Sequence, residues 1–228
     1  PSHHSGNKTP LPVPQNTGEQ NAYAGAFPAA SLQYDFFIGD WDITGRGYDA
    51  AGKVTGTAKG VWWAEYSHDK RVVIEDAVMF TGDGKLEANM PAMRTYVPAR
   101  GAWYSRHMFP LGGSDDTVCD NEGHWVAGEM LLFGTCTDMH GAPKYFSRIR
   151  FFNIKPDSFN YTWESSKDRE TWRVYGALDA VRRPVGRERP ALKAANYVGD
   201  VPTESGQFDF LIGTWNIREQ RSTAGIYG

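Results

Sequence analysis

One ten-residue stretch occurs twice in this chain. Residues 34–43 read Tyr-Asp-Phe-Phe-Ile-Gly-Asp-Trp-Asp-Ile, and residues 208–217 read Phe-Asp-Phe-Leu-Ile-Gly-Thr-Trp-Asn-Ile. Six of the ten positions are identical, and the others are Tyr/Phe, Phe/Leu, Asp/Thr and Asp/Asn. Phe36, Phe37 and Ile38 are three apolar residues in a row, which demand burial. Gly39 permits a tight backbone turn that a Cβ would obstruct. Trp41 and Ile43 then follow at strand spacing. The segment reads as an aromatic plug, a glycine turn and a strand whose tryptophan points inward, an arrangement suited to the closed end of a β-barrel. The alternative is an ordinary hydrophobic turn before any strand.

The rest of the chain supports an all-β reading. Aromatic residues make up 14% of the 228 residues, glycines are frequent, and helical periodicity is scarce. Short segments with strand character follow one another, separated by turn chemistry. They begin with Trp41–Tyr48, Thr55–Glu65, Arg71–Phe80, Met93–Val97 and Ala102–Met108. They continue with His124–Phe133, Tyr145–Ile154, Ser158–Ser165 and Thr171–Ala180. A closed antiparallel up-and-down barrel of about eight to ten strands accounts for this order and removes exposed sheet edges. Along Arg71–Phe80, the alternation sets Val73, Glu75, Ala77 and Met79 on one face.

Residues 1–30, rich in Pro, Gly, Ser, Asn and Ala, read as an extended or disordered arm. Residues 31–183 form the barrel domain, and 184–206 a linker. Residues 207–228 carry the second copy of the opening motif. The copies are offset by 174 residues, a whole barrel. The final segment is therefore expected to be either the start of a tandem repeat or a tail docked on this barrel or on a partner chain, which would make a homo-oligomer.

A net charge of −3 points away from nucleic acid and from electrostatic membrane binding. No apolar run approaches the roughly 20 residues of a transmembrane helix. Two cysteines, Cys119 and Cys136, flank the His124–Phe133 segment. A disulfide between them would clip neighbouring strands and would place the chain in an oxidising compartment, periplasmic or secreted. Two free thiols in a cytosolic protein are the alternative. The chain opens Pro-Ser-His-His, and no signal peptide is read in it.

Several motifs together carry a resemblance. Tyr34–Ile43 is followed by Trp62/Trp63, by Val73-Ile74-Glu75-Asp76, by Arg94-Thr95-Tyr96 and by Trp103. Then come Phe159 and Trp163-Glu164-Ser165-Ser166-Lys167-Asp168, with Thr171-Trp172. Over residues 33–183 this set resembles the bacterial domain family of unknown function DUF1579, related to the calycin or lipocalin-like barrels. The resemblance implies the barrel and no particular reaction. It also implies that Gly39-Asp40-Trp41 opens the first strand and that Arg182 or Arg183, after the last strand, packs on Trp41.

Inside a barrel alternate residues face the lumen, and a charge there is costly unless paired. Glu75, His107 and Tyr96 are the candidate catalytic groups. Trp63, Arg94, Trp103, Arg148 and Glu164 are the candidate ligand contacts. Each has a plainer reading. Arg148 and Arg150 could face solvent, Glu75 and Arg94 could form a buried bridge, His107 could be partly exposed, and the tryptophans could be core. Asp115, Asp116 and Asp120 form an acidic stretch that could hold a cation or simply be solvated. No phosphate loop, nucleophile elbow, zinc-protease motif or dinucleotide turn occurs, so no metal or cofactor is expected.

Three functions remain open. A carrier would hold a hydrophobic or aromatic small molecule in the lumen, with an apolar cavity and one polar anchor. A cofactor-free isomerase, cyclase or lyase would need an acid/base pair at an open cavity. A non-catalytic tandem module would have a filled lumen.

Overall fold

Period-two burial runs along most of the strands, and the barrel follows from it. The computed structural model describes residues 29–67, 70–109 and 117–184. Eleven strands occur among them: β1 (Gly39–Tyr48), β2 (Val54–Ser67), β3 (Val72–Phe80), β4 (Leu86–Asn89), β5 (Ala92–Val97), β6 (Ala102–Met108), β7 (Thr117–Val126), β8 (Glu129–Asp138), β9 (Pro143–Lys155), β10 (Ser158–Ser166) and β11 (Arg173–Arg182). Nearly every strand pairs antiparallel with its sequence neighbours. The β1–β11 and β2–β3 pairings close the ring. β4 and β5 both pair with β3 and share one place in the wall, so eleven strands fill ten positions. The break between them falls at Met90-Pro91, where proline has no N–H to give to a ladder. The result is a closed antiparallel barrel of ten strand positions.

The plug lies where the opening motif placed it. A short 3-10 helix, Ala29–Leu32, leads into tight turns in which Asp35 N–H bonds Leu32 O and Phe37 N–H bonds Tyr34 O, both at 2.9 Å. This coil caps the end of the barrel at which β1 begins and β11 finishes. Tyr34, Phe37 and Trp41 are completely buried. Rings of Phe151, Phe159, Trp62 and Trp103 meet them edge to face, with centroids 4.7–5.8 Å apart. Burying a side chain of this size contributes about 2 kcal/mol by area alone.

Arg182 locks the plug down. Its guanidinium lies 4.1 Å from the Trp41 ring. Its three nitrogens donate to Pro156 O (2.9 Å), Ile38 O (2.9 Å) and Phe36 O (3.0 Å). The Trp41 indole N–H donates to Phe37 O at 2.7 Å. Arg183, the other arginine offered by the resemblance, instead pairs with Asp42 at 2.9 Å. Gly39 is required twice over. Its φ is +127°, and a Cβ there would sit 2.6 Å from Arg182 Nη1.

Two local expectations are corrected. His124–Phe133 is not one strand, because Ala127 (φ 51°) and Gly128 (φ 86°) turn the chain between β7 and β8. Ala-Gly lacks the Asn or Asp that usually announces such a two-residue turn. Asp120 belongs to β7 rather than to an acidic loop, and it pairs with Arg106 at 2.7 Å on the outer surface. Asp115, Asp116, the arm before residue 29, the linker beyond 184 and the second motif copy lie outside the described residues. Cys119 and Cys136 face each other across β7 and β8 and form a buried disulfide.

Candidate functional site

Three of the eight candidate residues meet in the middle of the lumen. β3 contributes Glu75, β5 contributes Arg94 and β6 contributes His107, each at an inward position of its strand. Arg94 Nη2 donates to Glu75 Oε1 at 2.6 Å and contacts His107 Nε2 at 3.1 Å. Arg94 Nη1 donates to the Tyr34 hydroxyl of the plug at 3.1 Å. The guanidinium also lies 5.1 Å from the ring centres of Tyr34 and Phe151. An arginine can only donate, so His107 must accept through Nε2 and carry its proton on Nδ1.

The electrostatics follow from burial. Loss of water pushes the Glu75 carboxyl up from its ordinary value, against the pull of Arg94. The Trp62 indole approaches the same carboxyl and favours its charge, without reaching hydrogen-bond geometry. Burial first, and Arg94 second, hold His107 well below the usual histidine range, so it is neutral at pH 7. Burial likewise pushes the Tyr34 hydroxyl up to about 12. The group is a buried ionic network that ties the plug to three strands. A buried pair of this kind adds little net stability, but removing one partner strands the other charge.

The remaining candidates are placed elsewhere. Trp103 is fully buried, and its indole donates to Ala30 O at 3.3 Å. Tyr96 faces inward and packs its ring on Trp103, with centroids 5.5 Å apart. The other three do not line the lumen, and alternation is the reason. Trp62 takes the inward place opposite Trp41, so Trp63 must point out, where it packs beside Val61, Val78 and Leu86. Ile149 and Phe151 take the inward places on β9, so Arg148 and Arg150 face outward. Glu164 stands opposite Arg148 and is buried beneath it on the outer side, accepting from Arg148 Nε at 2.8 Å. Arg148 in turn lies over the Trp172 ring at 4.6 Å. Among the described residues, no group of three or more metal-ligating side chains comes together.

The open space is at the other end of the barrel. A cavity of about 530 Å³ sits at the mouth opposite the plug, within the usual range for small-molecule sites. Its inner wall includes Gly45, Gly47, Met79, Trp163, Tyr175 and Leu178, and Gly56 and Ala58 reach it from β2. Arg46 and Glu87 are the charged residues at its rim. Arg46 is already paired with Asp179 at 2.6 Å. Tyr175 and Tyr145 meet edge to face with ring centres 6.2 Å apart, and burial pushes both hydroxyls above their ordinary value. Glu75, Arg94 and His107 do not line this cavity. None of its wall residues is among the eight candidate site residues, although Met79 and Trp163 stand in the segments described from the sequence. The available signal was glycine recurring at inward positions of β1 (45 and 47), β2 (56) and β11 (176).

No family model matches the sequence, and no curated protein matches it. Solved structures do. The chain is similar to Rv2717c from M. tuberculosis at 11% identity, with a TM-score of 0.52 over 70% of this chain and 100% of that one. It also matches a redesigned β-barrel at 11% identity and a TM-score of 0.34, over 70% of this chain and 100% of that one. A protein of unknown function from the DUF3598 family of Nostoc punctiforme matches at 6% identity and a TM-score of 0.21, over 68% of this chain and 100% of that one. The likeness to Rv2717c is one of fold, and it carries the β-barrel without narrowing the DUF1579 resemblance.

Proposed function

We propose that this barrel binds a small hydrophobic or aromatic molecule in the cavity at its mouth. One observation carries the reading: buried side chains fill the lumen from the plug to the Arg94 network, yet beyond it the barrel opens into a ligand-sized space with mainly apolar walls. A purely structural barrel has no reason to keep that end empty, since filling it would add burial. The acid/base reading draws less support. Glu75 and His107 are sealed in the interior and already engaged with Arg94.

The Cys119–Cys136 disulfide fits a secreted or periplasmic setting. Among the described residues, no helix is long and apolar enough to cross a membrane.

Titration with the uncharged fluorophore N-phenyl-1-naphthylamine tests the reading. Saturable enhancement is expected for the wild type, and its loss in Ala58→Trp, which places an indole in the space, at unchanged melting temperature. Equal enhancement by both proteins would mean that the dye binds elsewhere.

A further inference from the structure

The walls of the mouth cavity are specific about shape as well as polarity. Gly47 on β1 stands directly opposite Gly56 on β2 and Gly176 on β11. Three neighbouring strands therefore lack a side chain at one level of the inner wall. Strands are about 4.8 Å apart, so the bare strip is about 10 Å wide. A glycine inside a strand costs about 0.5–1 kcal/mol relative to alanine. None of the three is needed for backbone conformation, as none has a left-handed φ. Space is what they provide.

One part of this strip is already in use. A Cβ on Gly176 would lie 2.8 Å from Cε3 and 3.4 Å from Cζ3 of Trp163, so the indole rests directly against the glycine backbone. The wall thus accepts a flat aromatic ring where Gly176 stands. Further along, a Cβ on Gly56 would meet nothing within 4 Å, and one on Gly47 would meet only the Thr55 hydroxyl, at 3.2 Å. The cavity continues over Gly47 and Gly56 from the position of the indole.

Charge narrows the guest further. Arg46 is neutralised by Asp179, which leaves Glu87 as the uncompensated charge among the cavity's lining residues. Among the described lining residues, an anion entering here would find only a cation already paired with Asp179 to replace its water.

We infer that the mouth cavity is shaped for a flat, uncharged, ring-bearing molecule, which lies against the backbone of Gly47 and Gly56 in continuation of the Trp163 indole. This rests on the binding reading above and names the class of ligand for that same site. The cavity supplies the room, the seated indole shows how a ring fits the wall, and the rim disfavours an acid. A flexible alkyl chain would fill the volume without using the flat strip.

The test is calorimetric titration of the full chain with 2-naphthol, 1-decanol and 2-naphthoate, repeated on Gly56→Leu. 2-Naphthol should bind at least about tenfold more tightly than either of the other two, and Gly56→Leu should weaken it by at least about tenfold. The circular dichroism of Gly56→Leu should match the wild type, since the new side chain enters open space. If 1-decanol or 2-naphthoate binds as well as 2-naphthol, or Gly56→Leu leaves 2-naphthol unaffected, the inference on ligand class is overturned while binding itself stands. If 2-naphthol fails although N-phenyl-1-naphthylamine binds, the inference is overturned as well. If nothing binds, N-phenyl-1-naphthylamine included, the binding reading falls and takes this inference with it.

Discussion

Arg94 is the residue on which the interior depends. It is completely buried, and its charge is answered by a single carboxylate, Glu75. Glu75→Gln keeps the shape and a hydrogen-bonding oxygen but leaves a guanidinium uncompensated. Urea unfolding should show a loss of about 3 kcal/mol, as for other broken buried pairs. His107 makes a separate prediction about pH. Facing Arg94 and Glu75, it resists a proton that the unfolded chain accepts near the ordinary value of 6.5. The unfolded state therefore binds more protons below that pH, and folding is penalised as the pH falls. The raised Glu75 works in the opposite sense, since its native form takes a proton more readily than the unfolded chain does. Comparison with His107→Gln separates the two. The stability difference, wild type minus variant, should be flat above pH 6.5 and then fall by up to about 1.4 kcal/mol per unit. A difference that stays flat down to pH 4.5 would place His107 in water.

At the scale of the element, the opening segment was legible because each of its chemical demands is local. The six identities between its two copies have readable causes in the first. Asp35 accepts the Tyr66 hydroxyl at 2.7 Å, the Phe36 ring packs edge to face on Phe151 and Phe159, Ile38 packs against the same core, Gly39 makes the turn, and Trp41 and Ile43 fill the floor. Gly39→Ala should therefore cost more than an ordinary strand substitution, about 2 kcal/mol or more in chemical denaturation, because strain and a displaced Arg182 add together. A cost under about 0.5 kcal/mol would show that the clasp is dispensable. What the sequence concealed was parity. Trp62 and Trp63 look equivalent, and only the register of β2 against β1 sends one in and the other out. Arg148 and Glu164 read as ligand contacts in the lumen, yet they pair with each other on the outside of the wall. The glycines of the mouth were visible as letters. Their side-by-side placement across β2, β1 and β11 exists only in the closed sheet.

For the molecule as a whole, the two ends of the barrel divide the work. The plugged end holds the aromatic cluster and the Arg94 network, and the open end holds the space. The Cys119–Cys136 bond clips β7 to β8 across a separation of 17 residues. Replacing both cysteines by alanine should cost up to about 3 kcal/mol in the chain-entropy view, seen as a melting temperature that dithiothreitol lowers in the wild type alone. The central claim is that the vacant mouth, rather than the polar centre or an outer groove, is where a guest is held. A crystal structure of the protein soaked with N-phenyl-1-naphthylamine tests it most directly. The account predicts density for the dye between Met79, Leu178 and Trp163, against the strip formed by Gly47 and Gly56. Density beside Glu75 and His107, or only on the outer surface of the barrel, would contradict it.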